Sequence, residues 1–191
     1  MDDIYVDETL YHGRPLKDKN RIPKELACYD LLDSLGIPYV RADHSPAATI
    51  EMCAEVEKVL GEKICKNLFL CNRQKTKFYL LLMEGDKVFK TKDLSRQLGT
   101  ARLSFADDAA MEELLGVAPG SVTVLALMND RENRVQLVID RPVTKTRCIG
   151  CHPCINTSTV AFPMEDLFGR FLPAVHHEPI FVELLDPEEE A

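Results

Sequence analysis

Lys66-Asn67-Leu68-Phe69-Leu70-Cys71-Asn72-Arg73-Gln74-Lys75-Thr76-Lys77-Phe78-Tyr79-Leu80-Leu81-Leu82-Met83 is the stretch that decides the fold. Asn67–Cys71 and Lys77–Met83 are apolar runs of strand length, and five polar residues lie between them. Such a pattern predicts an antiparallel hairpin. Gly85-Asp86 makes the next turn. Outward from the hairpin, Val122–Leu127 and Val135–Ile139 flank Asn129-Asp130-Arg131-Glu132-Asn133, which predicts a second hairpin. Pro23 suits the first turn of a helix whose apolar face is Leu26, Leu31, Leu32 and Leu35. Gly36 stops it, and Ile37–Val40 reads as a short strand. Thr49 precedes a second helix, about Ile50 to Leu60, ended near Gly61. Thr91 and Asp107 read as N-caps of two short helices, the second ending at Gly116. Ser158–Phe162 is β-prone, Met164–Phe171 helical, and Ile180–Leu184 a last strand. The expectation is an α/β (α+β) mixture. Hairpins are too frequent for a doubly wound parallel sheet.

With 191 residues, 46% of them hydrophobic, the chain has enough apolar material for one packed core and is not a disordered polymer. No run approaches the roughly 18 apolar residues of a membrane helix. Met1-Asp2-Asp3-Ile4 is acidic where a signal peptide is basic. A soluble, cytoplasmic protein is expected, with no membrane and no DNA partner. The formal charge of -8 is unevenly placed. Residues 1–10 hold four acidic groups and no basic one, and residues 186–191 hold four more. These are read as acidic tails around one domain, residues 11–185, that is itself neutral. Within it, residues 63–92 carry eight Lys or Arg against Glu84 and Asp86, a local +6. A basic segment of this kind can hold phosphates even when the whole chain is acidic.

Seven cysteines, an odd number in a chain without an export signal, argue against a disulfide framework. Cys148-Ile149-Gly150-Cys151-His152-Pro153-Cys154 contains a haem-attachment pattern, a redox-dithiol spacing and three sulfurs with one imidazole. Haem attachment needs export, and a low-pKa dithiol needs a helix after it, whereas Ile155–Val160 is β-prone. Adjacent Cys151 and His152 cannot easily turn to one zinc ion, and a second ligand pair is missing. Buried thiols in a strand and turn are therefore expected, with no metal and no cofactor. Walker, dinucleotide, zincin and nucleophile-elbow motifs are absent from the sequence.

Three segments remain. Lys66-Asn67 places a cation and an amide where an apolar strand begins. Gly116-Val117-Ala118-Pro119-Gly120-Ser121 is a tight turn whose glycines let backbone N–H groups approach a ligand oxygen. His152-Pro153-Cys154-Ile155-Asn156-Thr157-Ser158-Thr159 strings hydrogen-bonding side chains at a strand entrance. Together with Arg14-Pro15, Tyr29-Asp30-Leu31-Leu32, Phe171-Leu172-Pro173-Ala174-Val175 and Pro179-Ile180, these segments resemble the YbaK/prolyl-tRNA synthetase-associated domain family, in its freestanding ProXp-ala branch. The resemblance spans nearly the whole chain through the order and spacing of individually weak motifs.

The resemblance implies a single α/β (α+β) domain with a twisted, mostly antiparallel mixed sheet flanked by helices, and hydrolysis, in trans, of alanine mischarged onto tRNA(Pro). Lys66 matches the family's functional lysine. Gly116, Pro119, Gly120 and Ser121 match its pocket loop, and His152-Pro153 its His-Pro segment. Asn67, Asn156 and Thr157 belong to the same substrate-binding set, and Thr49 matches a position near the pocket mouth. The implied partner is the acceptor end of tRNA(Pro) carrying alanine, with transient contact to prolyl-tRNA synthetase or an elongation factor. Cysteines beside His152-Pro153 depart from many relatives. The rival expectation from the same residues is a non-catalytic sensor of a tRNA end or an amino acid, regulating proline metabolism.

Overall fold

The computed structural model describes residues 5–17, 20–46 and 50–185. Two sheets carry the architecture. The smaller has the order β1-β2-β8-β7 and is antiparallel throughout, with β1 Tyr11–His12, β2 Val40–Asp43, β7 Cys148–Cys151 and β8 Ser158–Pro163. The larger has the order β5-β3-β4-β6-β9, with β3 Cys65–Cys71, β4 Phe78–Glu84, β5 Ser104–Phe105, β6 Val135–Asp140 and β9 Ile180–Val182. Helices α1 Pro23–Ser34, α2 Ile50–Leu60, α3 Thr91–Gln97 and α4 Asp108–Leu115 pack around them. A helical segment from Met164 to Ala174 contains one wide turn, Leu167–Phe171. No helix among the described residues is long and apolar enough to cross a membrane.

The decisive hairpin forms as its sequence predicts. β3 and β4 pair antiparallel from Cys65↔Glu84 to Cys71↔Phe78. Asn72 closes the turn: its Oδ1 accepts the N–H groups of Thr76 and Lys77. β4 is buried over six of its seven residues because both its faces are covered. Phe69, Leu80, Leu82, Leu137 and Ile139 point into the large core cluster, while Leu70, Leu81, Met83 and Val138 point into a second one beneath α3.

The second hairpin does not form. Val124–Asn129 is a tight helical turn, not a strand. Thr123, fully buried, accepts the Leu125 N–H and starts the turn, and Val124 to Leu127 are all buried, so no alternation of faces exists to favour a strand. β6 instead pairs parallel with β4 and with β9. Its start is fixed by Asp130, whose carboxylate accepts the N–H groups of Arg134 and Val135 and meets His177 Nε2 at 3.0 Å. Two smaller expectations also shift. The strand expected at Ile37–Val40 begins at Val40, because Ile37 N–H still bonds back to Leu32 C=O at the end of α1. Thr91 is the first residue of α3 rather than its cap, and its C=O accepts the Ser95 hydroxyl. Asp107 does cap α4, accepting the Ala110 N–H.

Among the described residues the two sheets are joined by an isolated bridge. Ile64 forms a parallel bridge with Gly150, and Gly150 N–H donates to Lys63 C=O at 3.1 Å. A Cβ on Gly150 would lie 2.5 Å from Lys63 O, and one on Gly85 would lie 2.8 Å from Ile64 O. Only hydrogen fits at both sites. The seam joins the start of β3 to β7, and so places Lys66-Asn67 beside His152. Gly150→Ala is expected to cost about 1–3 kcal/mol, the range for a forced backbone shift, and to lower the melting temperature. Gly169→Ala is the control, since nothing lies within 4 Å of its added methyl. Equal melting temperatures for the two variants would contradict the seam.

Candidate functional site

The open half of β3 makes a site. The Asn72 N–H to Lys77 C=O bond sets the phase of the hairpin, so Leu70, Leu68 and Lys66 bond to β4 and the main chains of Phe69 and Asn67 face away from it. β5 covers only Leu70 and Cys71. Phe69 C=O accepts the Ala106 N–H just beyond β5, while the N–H and C=O of Asn67 have no partner among the described residues. A cavity of about 610 Å³ wraps this bare edge. That volume lies within the roughly 300–1,000 Å³ of small-molecule sites. Phe69, Met111, Val122 and Val143 give it an apolar wall.

Of the residues singled out in the sequence, Lys66, Asn67, Pro119, Gly120 and His152 line this cavity. Lys66 and Asn67 are successive strand residues, so their side chains leave on opposite faces. Both reach the cavity because it curls around the edge. Lys66 Nζ donates to Lys87 C=O at 3.1 Å. The Asn67 amide donates to Cys65 C=O at 3.0 Å, and its Oδ1 is buried with no hydrogen-bond partner. Leaving such an acceptor unmade costs roughly 1–3 kcal/mol, which a ligand N–H or O–H would relieve.

In the glycine turn most N–H groups are already used. Gly116 closes α4 with φ +65° and donates to Glu112 C=O. Val117 donates to Met111 C=O, Ser121 to Ala118 C=O, and Pro119 has no N–H. Gly120, at φ +81°, is the residue of the turn that reaches the wall with its N–H unengaged among the described residues. A Cβ there would lie 3.3 Å from Asn156 Nδ2. Asn156 thus backs Gly120 from outside the wall. Gly116, Ser121, Pro153 and Thr157 are also off the wall. Ser121 and Pro153 are buried, and Thr157 C=O accepts the His44 N–H. Thr49 lies outside the described residues.

Two carbonyls set the tautomers of two histidines. His152 Nδ1 lies 3.0 Å from Ser158 O, and His44 Nδ1 lies 2.8 Å from Ser45 O, so both Nδ1 atoms carry the proton. His44 Nε2 then accepts the Thr159 hydroxyl at 2.8 Å, and Thr159 Oγ1 faces His152 Nδ1 at 3.2 Å. The rings stand 5.9 Å apart. His152 Nε2 is left as a lone pair without a partner among the described residues. Burial pushes the His152 imidazole down to about 4, and His44 is also lowered by burial. Both are neutral at pH 7.

The cysteines lie behind this wall. Cys151 and Cys154 are fully buried, Cys148 half-buried, and all seven are free. Cys28 and Cys154 sulfurs touch at 3.4 Å. Cys154 holds φ +58°, which turns the chain from His152 towards Asn156. Burial raises the Cys151 thiol well above its ordinary value, so it stays protonated and unreactive. No three His, Cys, Asp or Glu side chains among the described residues are grouped to hold a metal ion. The bare β3 edge was not legible in the sequence, because a strand does not announce how many neighbours it has. Glu57 was also missed: it lines the cavity, accepts the Ile64 N–H and pairs with Lys63 at 3.1 Å.

Comparison with known proteins agrees with this architecture. A profile of the aminoacyl-tRNA editing domain matches residues 44–169. The chain is 32% identical over 136 residues to the prolyl-tRNA editing protein ProX of Acetoanaerobium sticklandii, covering 71% of this chain and 83% of that one. It is 33% identical over 155 residues to prolyl-tRNA synthetase associated domain-containing protein 1 of Danio rerio, covering 80% and 83%. A solved structure described as a candidate trans-editing enzyme for prolyl-tRNA synthetase superposes with TM-score 0.64 at 16% identity, over 86% of this chain and 99% of that one. With two sheets, a glycine-sealed seam and a profile match across two-thirds of its length, this chain belongs to the aminoacyl-tRNA editing domain family.

Proposed function

We propose that the protein is a trans-editing aminoacyl-tRNA deacylase that hydrolyses Ala-tRNA(Pro) to alanine and tRNA(Pro). The observation that carries the reading is the convergence of Lys66, the Gly120 N–H and the neutral His152 on one cavity that also holds a bare strand edge. The relatives named as prolyl-tRNA editing proteins support the tRNA, and the small apolar wall supports the amino acid. The acceptor end of tRNA(Pro) is the partner on this reading.

The substrate ester is already activated, so water suffices as nucleophile once the carbonyl is held and its developing charge is met by fixed donors. Gly120 N–H and Asn67 N–H are donors of that kind, and Lys66 supplies positive charge to the ester or to the terminal ribose and phosphate. His152 Nε2, as an acceptor, orients a water or a ribose hydroxyl. Cys53, Cys65 and His152 line the cavity, but no Ser–His or Cys–His side-chain hydrogen bond forms there among the described residues, which favours direct hydrolysis over a covalent intermediate. Alanine is preferred to proline by exclusion: a wall that clashes with the larger ring discriminates more strongly than the roughly 10–200-fold of lost methylene contact.

Incubation with labelled Ala-, Ser-, Cys- and Pro-tRNA(Pro) tests the proposal. Free alanine should appear fastest, and Pro-tRNA(Pro) should survive. Binding without turnover would instead identify a sensor. Lys66→Ala should lower the rate about 100-fold or more, the usual effect of removing one such electrostatic group, with an unchanged melting temperature. Near-normal turnover would remove Lys66 from the mechanism. For pH, a histidine at its ordinary value of about 6.5 would protonate and switch off activity between pH 7 and 6. Because burial holds His152 at about 4, its neutral form persists, and the pH–rate profile should show no histidine inflection near 6.5. An inflection there that vanishes in His152→Gln would contradict the neutral-acceptor role.

A further inference from the structure

Phe105 is an aromatic side chain that the core does not explain. It is 60% exposed on the two-residue edge strand β5, yet it lines the cavity. Phe89, half-buried in the segment after β4, meets it edge-on, with centroids 6.2 Å apart and planes at 74°. One side of the ring is therefore propped while much of it stays open. Burying such a ring in a monomer is worth a few kcal/mol, so its exposure at a cavity is a binding feature more than a packing one.

Its position along the sheet is informative. Phe105 lies opposite Leu70, so it shares a face with Leu68 and Lys66. Lys66 is four residues up that strand, about 13 Å away. That is nucleotide scale, longer than an alanyl group. The charges are graded in the same direction. At the Lys66 end the cavity is lined by Glu57, Glu84 and Asp86, which outnumber Lys63 and Lys66. Past Phe105, β5 leads through its Ser104↔Cys71 pair to the 72–77 turn, where Arg73 and Lys77 are exposed, and Arg102 is exposed just before β5. An α-ammonium is favoured at the first end and phosphates at the second.

We propose that Phe105 is the stacking platform for an unpaired nucleobase at the acceptor end, with the polynucleotide leaving past Arg102 and the 72–77 turn. This inference rests on the cavity being an RNA-end site, and it adds the direction in which the RNA lies. An aromatic face suits the task because every base has a π-face, so the contact is strong and indifferent to sequence.

The chain contains no tryptophan, so Phe105→Trp creates a single fluorescent reporter at the platform. The probe is an uncharged, 5′-fluorescein-labelled RNA microhelix ending in CCA, read by anisotropy, with an unlabelled copy for the tryptophan signal. Phe105→Ala and Phe105→Leu should each weaken binding about 5- to 150-fold, the range for one stacked base, with unchanged melting temperatures. Phe105→Trp should bind as wild type, and its emission should be quenched by RNA. In the deacylation assay the Phe105→Ala defect should fall on KM rather than kcat. Phe105→Leu binding like wild type, or an unquenched tryptophan, would overturn the platform. Neither binding readout needs turnover, so loss of deacylase activity in the wild type would refute the proposed reaction while leaving the platform separately testable.

Discussion

Everything at the site follows from the contact between Gly150 and the Lys63–Ile64 backbone. It welds two sheets that otherwise share only a core, at a spacing no side chain permits. Because Ile64 occupies that contact, the strand it leads into starts at Cys65 beside β7, and the chain leaving β7 delivers His152 to the same place. A backbone edge left bare at a sheet junction is ordinarily an aggregation hazard. Here it is enclosed by the glycine turn and the His152 segment and becomes the wall of a cavity.

The charge distribution takes on a different meaning once the fold is known. The basic run between residues 63 and 92 is not one patch. Lys63 pairs with Glu57, Lys75 with Asp107, and Lys87 is buried against Asp140 at 3.0 Å. The hairpin places three of the others at separate ends of the sheet, Lys66 inside the cavity and Arg73 and Lys77 at the turn, while Lys90 and Lys92 lie at the start of α3. On the proposed reading, such a surface would hold an RNA end with modest, salt-sensitive affinity, which suits an enzyme that must release its product. In the smaller sheet, where Asp43 lies opposite Ser158, burial would raise the Asp43 carboxyl, but the Arg21 and Arg41 guanidiniums hold it at about 2. That network ties α1 to β2 beside Ser158, whose carbonyl orients His152.

Much of the fold was legible because its signals are local. The β3–β4 hairpin is written in two apolar runs and a polar turn, and α4 in Asp107 and Gly116. What could not be read were features set by neighbours. Val122–Leu127 looks like a strand because every residue in it is buried or half-buried, yet burial on all sides also suits a tight helical turn, and Thr123 decides between them. The parallel pairing of β6 with β9 depends on Asp130 meeting His177, 47 residues away. For the site, residue types pointed to Lys66, Gly120 and His152. The free main chain of Asn67, the tautomer of His152 and the exposure of Phe105 needed coordinates, since none is a property of a residue type.

The central claim is that the acceptor end sits against the bare β3 edge, between Lys66 and His152. The most direct test is amide NMR of the full chain titrated with a non-hydrolysable alanyl-adenosine amide. The largest shift changes should fall on the N–H groups of Asn67 and Gly120 and on the His152 segment. Changes centred instead on the separate hollow beside His176 and His177 would contradict it.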